Sequence, residues 1–206
     1  MYTTLLRKYR TLQTEVRSKG FLRVAKITVD RVCVYLLSKV YDFPAAWHPP
    51  LSMRPYRCTV AGIINQLAPE SVCEVGCGLG SILAQLKARE LNGYDIDAGV
   101  VRAARLIRSG RIHFQQGSIV DVSLPRMDVL VLVNWIHEVS PADLAQQLLP
   151  LLPRTRFLLL DAIDPDNDFG YRYKHDFIFL AGVAERLSTT RHPGEGRSFQ
   201  LFRVNQ

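Results

Sequence analysis

A chain of 206 residues, 48% hydrophobic and 22% charged, is long and apolar enough to bury a core of its own, which excludes a disordered chain and a small scaffold that depends on staples. Its net charge of +7 is unevenly placed: residues 1–57 carry 11 Lys and Arg against 3 Asp and Glu, a net of +8, and the remainder stands at −1. The four cysteines, Cys33, Cys58, Cys73 and Cys77, form no C-x-x-C pair, so neither a disulfide framework nor a zinc site is expected, and a reducing cytoplasm is the expected compartment.

Residues 2–19 set Leu5, Leu6, Tyr9, Leu12 and Val16 at helical spacing, and Gly20 punctuates the segment. A second helix is expected from Phe21, with Leu22, Ala25, Val29, Val32, Cys33, Leu36 and Val40 in one apolar stripe and Arg23, Lys26, Asp30, Arg31 and Lys39 off it. Such a helix packs on a domain or lies on an anionic membrane surface. The basic arm is equally compatible with phosphates of a nucleic acid, an acidic substrate or a solvated face. No secretory leader is visible, and no run reaches the ~18 apolar residues of a spanning helix. The expected location is therefore cytoplasmic, at most peripheral to the inner membrane face.

Phe43 to Tyr56 is interrupted by Pro44, Pro49, Pro50 and Pro55, which rules out regular helix and leaves Trp47 and His48 in a loop suited to act as a lid. Tyr56 to Leu67 reads as a helix that Pro69 ends. The most informative stretch follows. Ser71-Val72-Cys73-Glu74-Val75 is a short apolar strand closed by an acid, Gly76, Gly78 and Gly80 alternate behind it, and residues 82–89 have helical character. Glycines there permit positive φ and close approach of a ligand to the backbone. Leu91 to Asp97 is a second strand with Asp95 at its end, about twenty residues on, the spacing at which a second-strand carboxylate meets a ribose.

Helix is expected from Ala98 to Ile107 and a third strand over Arg111–Gln115, followed by Ser118 and Ile119. Met127 to Val133 is a near-continuous apolar strand, which requires a sheet covered on both faces. Asn134-Trp135-Ile136-His137 follows it. Ser140, Pro141 and Asp143 then supply an N-cap, a first-turn proline and a first-turn acid for the next helix. Phe157 to Asp161 is the fifth strand, Phe177 to Ala184 is read as helix, and 187–190 with 198–204 flank a Pro-Gly turn as a terminal hairpin.

The string E-x-G-x-G-x-G at Glu74–Gly80, paired with Asp95, resembles the first motif and ribose acid of the class I S-adenosylmethionine (SAM) dependent methyltransferases. The resemblance covers residues 57–206. It implies an α/β Rossmann-like sheet, mostly parallel with a C-terminal antiparallel hairpin, behind a basic helical extension at 1–56. It also implies a SAM-binding enzyme with S-adenosylhomocysteine (SAH) as product, and a cofactor site from Glu74, Gly76, Cys77, Gly78, Gly80, Asp95, Ile96, Ser118, Ile119 and Asn134. Many members carry Asp at the place of Ser118, so adenine recognition departs from the pattern here.

Methyl transfer asks the protein to align nucleophile, carbon and sulfur and to exclude water. A hydroxyl acceptor also needs a base. His137, three residues past the fourth strand, is the first candidate, with His48 and His175 in reserve; each has a packing role as its alternative. Trp47, Tyr56 and Trp135 are candidate substrate contacts. Asn134 lacks the Pro-Pro-aromatic continuation of many base N-methyltransferases, which argues against nucleic acid as the acceptor. Asp161, Asp164 and Asp168 are read as a strand end and a solvated acidic loop, and chemistry without a metal is expected. Trp47-His48, Arg54-Pro55-Tyr56, Val133–His137 and Tyr173–Phe177 resemble, more narrowly, small bacterial methyltransferases encoded among surface-polysaccharide genes. That implies O-methylation of a glycan hydroxyl. The alternatives are N- or O-methylation of another small molecule, a nucleic-acid-binding protein and a silent SAM-fold subunit.

Overall fold

The computed structural model describes residues 20–205, apart from 109, 165, 168–169 and 194–195. The segment 2–19 expected as helix lies outside the described residues. The chain divides into two compact units, residues 1–55 and 56–206.

In the first unit, helix α1 (Phe21–Tyr41) ends where Asp42 turns left-handed at φ 57° and its N–H closes on the Ser38 carbonyl. Two short 3-10 turns follow, Ala45–Trp47 and Leu51–Met53, and α1 packs against both. Its buried residues are Val24, Val34 and Ser38. Of the expected stripe, Leu22, Val29, Val32, Cys33, Leu36 and Val40 are exposed and Ala25 is half-buried.

The second unit opens with α2 (Tyr56–Gln66) and then builds seven strands: β1 (Ser71–Val75), β2 (Glu90–Asp95), β3 (Ile112–Gln116), β4 (Met127–Leu132), β5 (Thr155–Ile163), β6 (Ala184–His192) and β7 (Arg197–Val204). Their order is β3-β2-β1-β4-β5-β7-β6. The first five run parallel, and β7 enters antiparallel between β5 and β6. Side chains alternate across the sheet. Val72, Val129, Val131 and Leu159 face one apolar layer with α2, while Cys73, Leu130, Leu132 and Leu158 face the other. Helices α3 (Ala98–Ile107) and α4 (Pro141–Leu148) both start on side-chain caps: Asp97 accepts from Gly99 and Val100, and Ser140, the cap expected from the sequence, accepts from Asp143.

Two expected helices are absent. Residues 82–89 form a 3-10 turn, Leu83–Gln85, and then an extended link. The link must return to Glu90, which pairs with Ser71 at the start of β1, and extended backbone covers that distance in few residues. Asn65 ties it down, accepting from Lys87 N and donating to the Gln85 carbonyl. Likewise 177–184 holds the 3-10 turn Ile178–Leu180 and, at Ala184, the first residue of β6. Phe177 goes left-handed at φ 58° to bury its ring against His175 and Phe202, and Gly182 at φ 82° turns the chain into β6.

Candidate active site

Strand order reverses between β1 and β4, so the crevice for a ligand opens beyond their carboxyl ends. The Tyr94 carbonyl takes the N–H groups of Gly76 (2.8 Å) and Cys77 (3.0 Å), which fastens the glycine bend to β2. Asp95 is turned toward that bend. Its Oδ2 accepts from Gly78 N at 2.8 Å and its Oδ1 from Asp97 N at 3.0 Å. Gly76, Gly78 and Gly80 all stand at positive φ. At Gly76 a side chain is also barred by contact, since a Cβ would lie 2.2 Å from Trp135 Cδ1.

Glu74 is buried, and its Oε2 meets no hydrogen-bond partner among the described residues. Burial pushes its carboxyl up to about 8, with the Arg57 charge pulling the other way. Burial likewise pushes the Cys73 thiol up to about 12 and the Cys77 thiol well above its usual range, so both are packing residues and not nucleophiles. Beside Asp95, Ile96 is exposed, as is Val120 beyond the end of β3. Ile119 is buried in the core. Ser118 spends its N–H and hydroxyl on Asp121 Oδ2 in a closed capping box, so its side chain is engaged within its own turn.

The second half of the site lies past β4. Asn134 stands at φ 80°, ψ −60°, and Trp135 N donates to the Val133 carbonyl at 3.1 Å, which makes a γ-turn. The next residues, Trp135–Glu138, form a 3-10 turn. Trp135 donates from Nε1 to the Val75 carbonyl at 2.7 Å, laying its indole over Gly76.

His137 is fully buried. Its Nε2 faces Asp161 Oδ1 at 3.3 Å and its Nδ1 faces the Tyr173 carbonyl at 3.3 Å. Asp161 also accepts from Asn134 N at 2.9 Å and from Arg197 Nη1 at 3.1 Å. Tyr171 donates its hydroxyl to Asn134 Oδ1 at 2.6 Å. A strap from Tyr171 to Phe177 therefore covers the 3-10 turn, held further by Tyr173 N on the His137 carbonyl and by His175 Nε2 on the Ile136 carbonyl at 2.9 Å. Because a carbonyl only accepts, His175 carries its proton on Nε2. Burial lowers its pKa, and its buried Nδ1 has no hydrogen-bond partner among the described residues.

The structure thus gathers Glu74, the glycines, Asp95 and Ile96 on one side of the crevice, and Asn134, Trp135, His137 and His175 on the other. Tyr56 is buried beneath Arg197, whose guanidinium lies 4.5 Å from its ring centre, and stacks on Phe199 at 5.8 Å. It supports the site from within the core. Trp47 and His48 belong to the first unit, where Trp47 is exposed and His48 meets the Phe43 ring edge-on. Sequence reading missed Tyr171 and Arg197. Arg197 opens β7 far along the chain, and only the three-dimensional pairing of β5 with β7 brings it to Asp161. Among the described residues, no group of three His, Cys, Asp or Glu is placed to hold a metal ion, and Asp168 lies outside them.

The strand order is that of the Rossmann-like fold of the class I SAM-dependent methyltransferases. No protein-family model and no curated protein matches the chain. Among solved structures, magnesium protoporphyrin IX methyltransferase (ChlM) from Synechocystis PCC 6803 with bound SAH is similar at TM-score 0.61 and 15% identity, over 96% of this chain and 100% of that one. Human N-acetylserotonin methyltransferase in complex with SAM is similar at TM-score 0.62 and 15% identity, over 84% of this chain and 56% of that one. The mitomycin 7-O-methyltransferase MmcR is similar at TM-score 0.60 and 14% identity, over 75% and 56% respectively.

Proposed function

We propose that the chain is a SAM-dependent O-methyltransferase. The observation that carries the reading is Asp95, held at 2.8 Å from Gly78 N on a bend of three positive-φ glycines. The residues present fit the cofactor. Asp95 would take the ribose hydroxyls, Glu74 brings a buried carboxyl with an unused oxygen, and Ile96 and Val120 offer apolar surface to a flat base. SAM supplies an activated methyl group on a sulfonium. The neighbouring structures named with SAM or SAH support the same cofactor here.

A hydroxyl acceptor must give up a proton, and His137 is the residue proposed to take it. The Tyr173 carbonyl lies at hydrogen-bond distance from Nδ1, and the Asp161 carboxylate lies 3.3 Å from Nε2 without a hydrogen bond, where its charge would favour a ring that has gained a proton. The ring is fully buried beneath the strap and Nδ1 donates to the Tyr173 carbonyl, so the nitrogen free to take a proton is Nε2, and the strap must open for an acceptor hydroxyl to reach it. His175 is the reserve base, through its buried Nδ1. The finer reading, a sugar hydroxyl on a glycan or glycolipid, rests on the narrower sequence resemblance. N- or O-methylation of another small molecule is the second reading, favoured by the acceptors named for ChlM and MmcR.

Calorimetry with SAH and a radiolabelled SAM transfer screen over sugars and phenols test this. SAH binds the wild type, Asp95→Ala weakens it at least tenfold, and His137→Ala lowers turnover at least a hundredfold with SAH affinity held within threefold, magnitudes usual for a lost binding contact and a lost general base. A folded protein that ignores SAH ends the reading, and full turnover in His137→Ala removes that residue from the role.

A further inference from the structure

Helix α1 carries apolar residues on two opposite sides. At about 100° per residue, Val24, Val34 and Ser38 fall together on one side. These are its buried residues, and the helix packs against the two 3-10 turns of the first unit. Leu22, Val29, Val32, Leu36 and Val40 fall within an arc of about 100° on the other side. They are exposed at 83%, 60%, 51%, 57% and 74%. The helix is 21 residues long, so the stripe runs for about 30 Å. Isolated exposed aliphatic residues are ordinary on a protein surface; a continuous stripe of this length marks a contact surface.

The flanks of the stripe say what it contacts. By the same rotation Lys26 and Lys39 lie along its two edges, and Asp30, the one acid on the helix, pairs with Lys26 at 3.3 Å. Residues 1–57 carry a net +8. Self-association through this face would bring two such segments together against their mutual repulsion. An anionic surface gains from the same charge, and long lysine stems reach headgroups while the stripe is covered. No helix among the described residues is long and apolar enough to cross a membrane, so α1 would lie in the interfacial plane.

We propose that the outward face of α1 docks on an anionic lipid surface, with Leu22, Val29, Val32, Leu36 and Val40 entering the acyl boundary and Lys26 and Lys39 reaching headgroup phosphates. This stands independently of the methyltransferase reading. The test is co-sedimentation of the full chain with vesicles of phosphatidylcholine alone or with about 30% phosphatidylglycerol, since anionic lipid is the variable that matters. Wild type binds the anionic vesicles and leaves the neutral ones. Val29→Glu/Leu36→Glu loses at least tenfold in affinity, Lys26→Glu/Lys39→Glu loses as much, and circular dichroism and melting of both variants match wild type because every altered side chain is exposed. Three results overturn the proposal: no binding to anionic vesicles, binding that Val29→Glu/Leu36→Glu leaves intact, or a dimer of the free protein that this variant dissolves.

Discussion

At Asn134 the chain accepts a backbone geometry that costs about 1–3 kcal/mol and persists only where its surroundings over-determine it. Three neighbours do so. Asp161 holds its N–H, the Tyr171 hydroxyl holds its Oδ1, and Arg197 Nη1 comes within 3.5 Å of the same oxygen. The γ-turn is what aims Trp135 at Gly76 and sets His137 over Asp161. Across the crevice, Glu74 is a second strained residue, electrostatically this time. Its carboxyl titrates near 4.5 in an unfolded chain and at about 8 in the folded one. Between those values the folded state keeps a proton that the unfolded state has lost. This group's contribution is therefore fully present below about 4.5 and is lost as pH rises to about 8. Glu74→Gln has no such titration. Urea denaturation at pH 5 and pH 8 should show the variant gaining on wild type by at least ~1.4 kcal/mol at the higher pH, the equivalent of one pK unit. Parallel pH profiles for the two proteins would mean that Glu74 is ionised and paired throughout.

At the scale of the element, the link between β1 and β2 shows where local pattern stops being sufficient. Ile82 to Arg89 has helical composition, yet the chain spends Gly76–Ser81 on the bend and must still reach Glu90. Asn65 on α2 holds the result with two hydrogen bonds, 3.0 Å to the Gln85 carbonyl and 2.9 Å from Lys87 N. Arg111 adds bonds to the Leu86 and Ala88 carbonyls. Asn65→Ala should cost about 1–2 kcal/mol in urea unfolding, two net hydrogen bonds of ordinary strength. A loss under ~0.5 kcal/mol would show that the Arg111 bonds and the packing of Leu83 and Leu86 hold the link without Asn65. The same contrast explains what the sequence discloses. The five parallel strands, the Ser140 cap and the terminal hairpin are legible because each rests on residues adjacent in the chain. The approach of Asp95 to the glycine bend at Gly78 is legible because a fixed spacing encodes it. The Asp161–Arg197–Tyr171–Asn134 network is not, because it is assembled across 63 residues by the insertion of β7 beside β5. The exposed side of α1 escapes for a different reason: periodicity reports that a helix has an apolar stripe, and only coordinates report which stripe is covered.

Over the whole molecule, charge and chemistry are divided along the chain. Residues 58–206 hold every residue proposed to touch the cofactor and carry a net of −1, while the first 57 hold +8. SAH is itself a zwitterion, so its binding to a near-neutral unit should depend little on salt. An acceptor presented on an anionic lipid or polyanionic glycan would instead feel the basic segment. Long-range attraction of that kind weakens steeply once the Debye length shrinks to about 10 Å near 0.1 M salt. With such an acceptor, raising sodium chloride from about 20 to about 300 mM should therefore raise KM several-fold. Over the same range kcat and the SAH dissociation constant should hold within about twofold. Replacing the acceptor by a short, uncharged soluble analogue should flatten the KM dependence too, because the reacting hydroxyl still enters the crevice but the surface that carried it is gone. If the charged and uncharged acceptors respond to salt alike, the basic segment plays no part in delivering substrate, and its charge serves something other than catalysis.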